Sequence, residues 1–187
     1  GSNIALINAV LNVIFANGWE AREFLQGRVD GADDLRRHVA ANTVQWGEQM
    51  SGVAAADIEK FAHMYAHANK AFLCYGMGIT QYAHGTNNVI ALSNLALTCG
   101  HIGHEGAGIN PLRGQNNVQG ACDMGCLPNV YPGYQSTDDA AVRAKFENAW
   151  HAHQSTEAGM TSLQMTKSAA RGEFSALMIL GEDPVVT

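Results

Sequence analysis

Apolar residues recur along the first third of the chain at the spacing of helix faces. Ile4, Ile7, Leu11 and Ile14 lie three or four apart and Gly18 stops the run, so residues 3–17 are predicted as a helix. A short helix follows over Glu20 to Leu25. Another covers Gly31 to Asn42, with Leu35 and Val39 on one face and Asp33 and Asp34 near its start, where the helix dipole favours acids. Ala55 to Ala68 is a clearer amphipathic helix, carrying Ile58, Phe61, Ala62 and Tyr65. The period then changes. Ala71 to Tyr75 is a short apolar run that reads as a buried strand, and Gly76-Met77-Gly78 follows at once. Helical spacing returns from Asn87 to Thr98, with Val89, Leu92, Leu95 and Ala96 inward, Thr86 placed as a cap and Gly100 as the stop.

From Gly100 to Thr137 regular periodicity disappears, and glycine, asparagine, glutamine and proline dominate. Loops beyond ~12–15 residues are uncommon inside compact domains unless they are functional or disordered. Leu112, Val118, Met124, Leu127, Val130, Tyr131 and Tyr134 give this one reasons to be ordered, so it reads as a long functional loop. Helices resume over Asp138–Trp150 and Thr161–Arg171, and Ser175 to Leu180 reads as a second buried strand before Gly181-Glu182-Asp183-Pro184. Two strands, each preceded by a helix and each ending in a glycine-containing turn, predict an α/β fold with a parallel sheet. In such sheets ligands bind beyond the carboxyl ends of the strands, so both turns are expected to face one crevice.

Composition narrows the function classes. The 187 residues are 47% hydrophobic and 15% charged, which suits a packed domain and argues against disorder. The formal net charge of −6 makes a general nucleic-acid partner a poor expectation, because phosphate neutralisation needs a basic surface. No apolar run approaches the ~18 residues of a membrane span. Four scattered cysteines, at 74, 99, 122 and 126, do not suggest a disulfide scaffold; reduced thiols in a cytoplasmic setting are the expectation.

Three stretches carry candidate chemistry. In Cys74-Tyr75-Gly76-Met77-Gly78-Ile79-Thr80-Gln81 the glycines allow a sharp turn off the strand and close approach of a ligand, while Thr80 and Gln81 offer polar contacts. Gln81 stands where a dinucleotide fingerprint needs its third glycine, so that motif is absent. A plain structural turn is the competing reading. Between Arg113 and Gln119 the chain packs one arginine and four side-chain amides into seven residues. Amides donate and accept, which suits a ligand with many polar edges such as a pterin or purine, and the planar guanidinium can grip a carboxylate through two parallel bonds. A polar surface loop with an arginine salt bridge would use the same residues. Glu182 and Asp183 could accept from the N–H groups of a guanine, or form an ordinary acidic turn. Cys99-x-His101-x-x-His104 and Cys122-x-x-x-Cys126 do not match zinc spacing, and His63 and His67 share a helix face without the glutamate of a zinc-protease motif. No metal ligands are assigned within the chain.

Tyr75 through Gln135 resembles the catalytic subunit of molybdopterin-dependent formate dehydrogenases. Pro111-Leu112-Arg113-Gly114-Gln115-Asn116-Asn117-Val118-Gln119-Gly120-Ala121-Cys122-Asp123-Met124-Gly125 is the most specific part. Leu127 to Gln135 extends it, and Gly76 to Gln81, Gly181 to Pro184 and the opening Gly1 to Leu6 recur in the expected order. The resemblance implies a Rossmann-like parallel sheet flanked by helices, with a long ordered cofactor loop, as one lobe of a larger multidomain subunit. Residues 1–187 are then a partial molybdopterin oxidoreductase domain. It implies a molybdenum or tungsten ion held by two molybdopterin guanine dinucleotides, and oxidation of formate to carbon dioxide. By position, Arg113 would orient formate. Gly76, Met77, Gly78, Thr80 and Gln81 would line one dinucleotide. Gly114, Gln115, Asn117 and Gln119 would shape the wall near the pterins, and Glu182 and Asp183 would lie near a guanine.

Cys99, His101, His104 and Cys126 depart from the family's usual residues. The family's cysteine or selenocysteine metal ligand, its 4Fe-4S cysteines and its C-terminal cap have no counterpart here, so the chain is expected to be an internal piece with no activity alone. Its expected partners are formate, the remaining domains of the subunit and iron–sulfur electron-transfer subunits. A nitrate reductase-like molybdopterin enzyme is the alternative enzyme reading, and a non-catalytic cofactor-binding or scaffold module the alternative outside enzymes.

Overall fold

The computed structural model describes residues 1–181 and 183. The chain forms two compact units, Gly1–Gly114 and Gln115–Thr187. Among the described residues no single helix is long and apolar enough to cross a membrane.

The first unit is built around α1 (Asn3–Asn17). Packing is not confined to the predicted face: Ala9, Val10 and Val13 are buried together with Ile7, Leu11 and Ile14. Gly18, in the left-handed conformation at φ +68°, ends it, and Trp19 N donates to Ile14 O at 2.9 Å. α1 packs against α3 (Ala32–Val39), α4 (Val44–Ser51), α5 (Ala55–Ala66) and α7 (Gly85–Thr98). Asn12, a polar interruption in the sequence pattern, donates to Val39 O and Ala40 O at 3.0 and 3.1 Å, and so satisfies carbonyls at the end of α3.

α2 (Arg22–Arg28) begins two residues later than expected, because Glu20 is used differently. Its side chain is fully buried, and one oxygen accepts from Arg22 Nε and Arg36 Nη2, each at 2.9 Å. Burial alone would raise the Glu20 pKa; its own backbone N–H and the guanidinium groups of Arg36 and Arg22 outweigh that and hold it below the usual carboxylate value. Ala21 N donates to Thr98 O at 2.9 Å, which ties the start of α2 to the end of α7.

α4 escaped the sequence pattern because glycine in mid-helix lowers helix propensity. Thr43 caps it, accepting from Trp46 N at 3.3 Å. Gly47 is where α4 meets α1: a Cβ there would lie 2.5 Å from Ala9 Cβ and 3.1 Å from Ile58 Cδ1.

β1 (Phe72–Tyr75) pairs in parallel with β2 (Gly108–Pro111), and α6 (Met77–Thr80) is a single turn after β1. Two expectations change here. β1 is not a buried strand, since Phe72 is 57% exposed and Cys74 is exposed. Its parallel partner is β2 and not the run Ser175 to Leu180. Gly-Ile-Asn-Pro has little strand propensity of its own, and pairing with β1 imposes its extended form. Thr86 does not cap α7, which starts one residue earlier without a side-chain cap.

The second unit contains α8 (Val118–Asp123), the antiparallel pair β3 (Val130–Tyr131) and β4 (Gln135–Ser136), α9 (Ala140–Trp150) and α10 (Ser162–Ala170). Tyr131 stacks on Phe146 at 4.6 Å between ring centres, and Phe146 meets Trp150 at 4.9 Å. Asp139 caps α9, and Thr161 with Gln164 forms a capping box on α10. The long aperiodic stretch is therefore ordered by short elements. Ser175 to Leu180 forms no strand, and Met178 and Leu180 are each 84% exposed. No neighbouring strand in this unit pairs with it among the described residues. The architecture is thus helices with two small sheets, compatible with an α/β class.

Alanine at a mid-helix glycine normally stabilises by ~1 kcal/mol. At Gly47 the sign reverses, because the added methyl overlaps Ala9. Gly47→Ala is expected to destabilise the first unit by about 1–3 kcal/mol, read as a lower midpoint in urea unfolding.

Candidate functional site

Parallel pairing decides where the candidate residues go. Tyr75 sits opposite Pro111, and Leu112 N donates to Tyr75 O at 2.7 Å. The chain therefore leaves both strands at the same end of the sheet, Gly76–Gln81 from β1 and Leu112–Gly114 from β2. These two of the three predicted motifs come side by side.

Their contact is direct. Gly76 is extended, and a Cβ on it would lie 3.5 Å from Leu112 O. A Cβ on Gly114 would lie 3.1 Å from Met77 Cε and 3.3 Å from Met77 Sδ, so the thioether rests against the Gly114 backbone. Gln81 Nε2 donates to Met77 Sδ at 3.3 Å. Gly78 faces open space, and Thr80 and Gln81 are exposed. Arg113 is exposed and forms no hydrogen bond or ion pair with any described residue. Among the described residues, the salt bridge expected of an ordinary surface arginine is therefore missing.

Two residues that the sequence reading passed over hold this turn in place. A Cβ on Gly85 would lie 2.0 Å from Thr80 O, so only glycine lets α7 start against α6. Asn88, 4% exposed on the apolar face of α7, donates from Nδ2 to Ile79 O at 2.8 Å. Asn88 shares its helix stripe with Leu92 and Leu95, and an amide inside an apolar stripe was the signal that could have found it.

The remaining candidates belong to the second unit. Gln115 is exposed, and Asn117 is left-handed at φ +54° just before α8. Gln119 Nε2 donates to Asp123 Oδ1 at 2.9 Å and to Tyr134 Oη at 3.3 Å, so part of its capacity is used locally. Desolvation and the nearby Cys122 thiol raise the Tyr134 pKa above the usual phenol value. Asp183 is exposed, and Glu182 lies outside the described residues.

His101, Cys99, His63 and His67 are in structural use. His101 is buried, with Nε2 hydrogen-bonded to Tyr65 O at 2.9 Å and its ring edge-on to the Tyr65 ring. Burial pushes the Cys99 thiol up to about 12, which makes it inert. His63 and His67 stack on each other at 4.2 Å, and both meet Trp19 edge-on. Among the described residues no group of three or more such side chains could hold a metal ion.

The glycine turn, the Met77 thioether and Arg113 thus lie together at the carboxyl ends of two parallel strands, the end at which α/β sheets bind ligands. Residues 1–187 match the family model described as molybdopterin oxidoreductase, and the chain belongs to that family. It is similar to "Formate dehydrogenase H" of Escherichia coli (strain K12), with 44% identity over 188 residues, covering 100% of this chain and 26% of that protein. It is 44% identical over 187 residues to "F420-dependent formate dehydrogenase 2 subunit alpha" of Methanococcus maripaludis, covering 100% of this chain and 27% of that protein. The corresponding figures for "F420-dependent formate dehydrogenase subunit alpha" of Methanocaldococcus jannaschii are 42%, 100% and 27%. The chain thus spans about a quarter of the length of these relatives. Family membership implies a molybdopterin cofactor.

Asn88→Ala removes the donor to Ile79 O and leaves that carbonyl without its partner. The expected loss is about 1–3 kcal/mol, measured by urea unfolding, with faster amide exchange over residues 79–83.

Proposed function

We propose that the chain is part of the catalytic subunit of a formate dehydrogenase. It supplies Arg113 as the group that orients formate, together with part of the cradle for a molybdenum or tungsten ion on two molybdopterin guanine dinucleotides. One observation carries the reading: Arg113 stands exposed, and unpaired among the described residues, at the carboxyl ends of β1 and β2, beside the glycine turn. The names of the relatives support formate as the substrate.

The donor set suits such a cofactor. Gly78 leaves room above its backbone, while the Met77 thioether lies against that of Gly114. Thr80 and Gln81 offer hydroxyl and amide groups to a polar heterocycle or phosphate, with Met77 as a soft apolar contact. Gln115, Asn117 and Gln119 would contribute amides to the pterin wall, and Glu182 and Asp183 carboxylates to a guanine. When bound, the metal–pterin centre supplies the two-electron acceptor for the reaction.

Arg113 has its own chemistry. Its fork can pair both N–H bonds with the two formate oxygens, which fixes the anion and leaves the C–H end uncovered. Among the described residues no carboxylate pairs with Arg113, so formate would displace no ion pair there. Holding the reacting group in one orientation lowers the barrier without any covalent role for the arginine. In this reading a 4Fe-4S cluster belongs to the complete subunit, the electrons pass to iron–sulfur partner subunits, and the enzyme works in the cytoplasm.

The 187-residue chain alone is expected to turn over no formate with a dye acceptor, since most of the cofactor site lies elsewhere in such a subunit; measurable turnover would overturn that. In the complete subunit, Arg113→Lys keeps the charge but loses the fork. A charged hydrogen bond contributes ~1.5–3 kcal/mol, so kcat/KM should fall about 10- to 100-fold, with higher KM for formate and lower kcat. Unchanged kinetics would remove Arg113 from the site.

A further inference from the structure

A pocket of about 450 Å³ lies between α2 and α3 in the first unit. Carboxylates outnumber guanidinium groups along it: Glu20, Asp30, Asp33 and Asp34 face it with Arg22 and Arg36. Both arginines are already committed. Each donates to the same oxygen of Glu20, Oε1, at 2.9 Å, and Arg36 also lies over the Phe15 ring at 4.8 Å. Asp34 pairs with Arg37. Asp30 and Asp33 are exposed, and neither carboxylate meets a donor or cation among the described residues. The pocket therefore holds an excess of acceptors.

The second oxygen of Glu20 decides what fits there. The side chain is fully buried, and Oε2 has no hydrogen-bond partner among the described residues. The carboxyl is held below the usual carboxylate value, so it is ionised at neutral pH. A buried anionic oxygen without a donor is rare in folded proteins, and a bound donor is the ordinary explanation. One metal ion does not meet the need. Among the described residues no group of three or more His, Cys, Asp or Glu side chains could hold one. The carboxylates are thus too far apart for a single small ion, and they call for N–H donors spaced along a ligand. Buried Leu25 and half-buried Val29 and Ala32 also line the pocket, which suits an aliphatic stem behind a charged head.

We propose that this pocket binds an organic cation, a guanidinium or ammonium group on an alkyl stem, carried by a free amine or by a basic side chain from elsewhere in the same, longer subunit. The stem lies along Leu25, Val29 and Ala32. The cationic head donates to Glu20 Oε2, and Asp30 and Asp33 attract it at the rim. Neither Arg113 nor the glycine turn lines the pocket, so the inference does not depend on formate as the substrate.

The test uses the complete native subunit. Agmatine, a guanidinium and an ammonium joined by a butyl stem, is titrated in by isothermal calorimetry, with uncharged N-butylurea as the control. Cryo-electron microscopy of the same preparation without additive shows what fills the pocket at rest. Glu20→Gln would disturb the buried contact with both arginines, so the variant combines Asp30→Asn with Asp33→Asn, at two exposed positions. For a free amine, the expected result is saturable agmatine binding at low salt, about 10-fold weaker in the double variant, and none with N-butylurea. For a basic side chain, agmatine does not bind, and a lysine or arginine from the rest of the subunit lies within hydrogen-bond distance of Glu20 Oε2. Agmatine binding that the double variant leaves unchanged overturns the proposal, and so does equal binding of N-butylurea. A pocket that takes no agmatine and holds only water or an uncharged side chain at Glu20 overturns it as well.

Discussion

Tyr75 opposite Pro111 in a parallel ladder fixes where two stretches of chain more than thirty residues apart come off the sheet. Parallel strands end on the same side, and in α/β proteins that side is where ligands sit, because the turns there expose backbone that the sheet no longer uses. An antiparallel pairing of the same segments would put Met77 and Arg113 at opposite ends. A one-residue slip would move Gly114 away from the Met77 thioether. The chemistry assigned to Arg113 therefore depends first on strand direction and register, and only then on the arginine.

That register is held from outside the sheet. A two-stranded parallel sheet is weak by itself, and β1 and β2 are each four residues long. The support comes from α7. Its first turn touches α6 through the Gly85–Thr80 approach and the Asn88 bond to Ile79 O. Its last turn accepts from Ala21 N, next to the buried Glu20 with its two arginines. A stiff helix thus connects the turn under the site to a polar lock at its far end, and α1 packs alongside.

The long helices and the chemistry-bearing stretches were legible in the sequence for different reasons. α1, α5, α9 and α10 show apolar spacing or cap residues that carry local information, and their observed bounds differ from expectation by only a few residues. Arg113 and the glycine turn stood out by residue type. The strand pairing was not legible. Gly108–Pro111 contains one aliphatic residue and no alternation, so nothing local marks it as the partner of β1. Ser175 to Leu180 has strand-like composition, yet composition cannot supply a neighbour to pair with. Gly47, Gly85 and Asn88 were passed over for a related reason. Each is an unfavourable local choice whose value appears only when the opposing atom is known, Ala9 Cβ, Thr80 O or Ile79 O.

An exposed, unpaired arginine also has a meaning in terms of magnitude. A surface salt bridge contributes ~0–1 kcal/mol, so the absence of a carboxylate partner for Arg113 among the described residues costs the fold almost nothing. The same guanidinium, presented to a small anion where water is largely excluded, contributes ~1.5–3 kcal/mol through charged hydrogen bonds. An internal partner would have to be displaced before each binding event and would cancel much of that gain. Glu20 shows the contrast within one chain. There two arginines are committed to a buried carboxylate and serve only the packing of α2 and α3. Arg113, with no such commitment among the described residues, keeps its hydrogen-bonding capacity unspent, as the proposed role in holding formate requires.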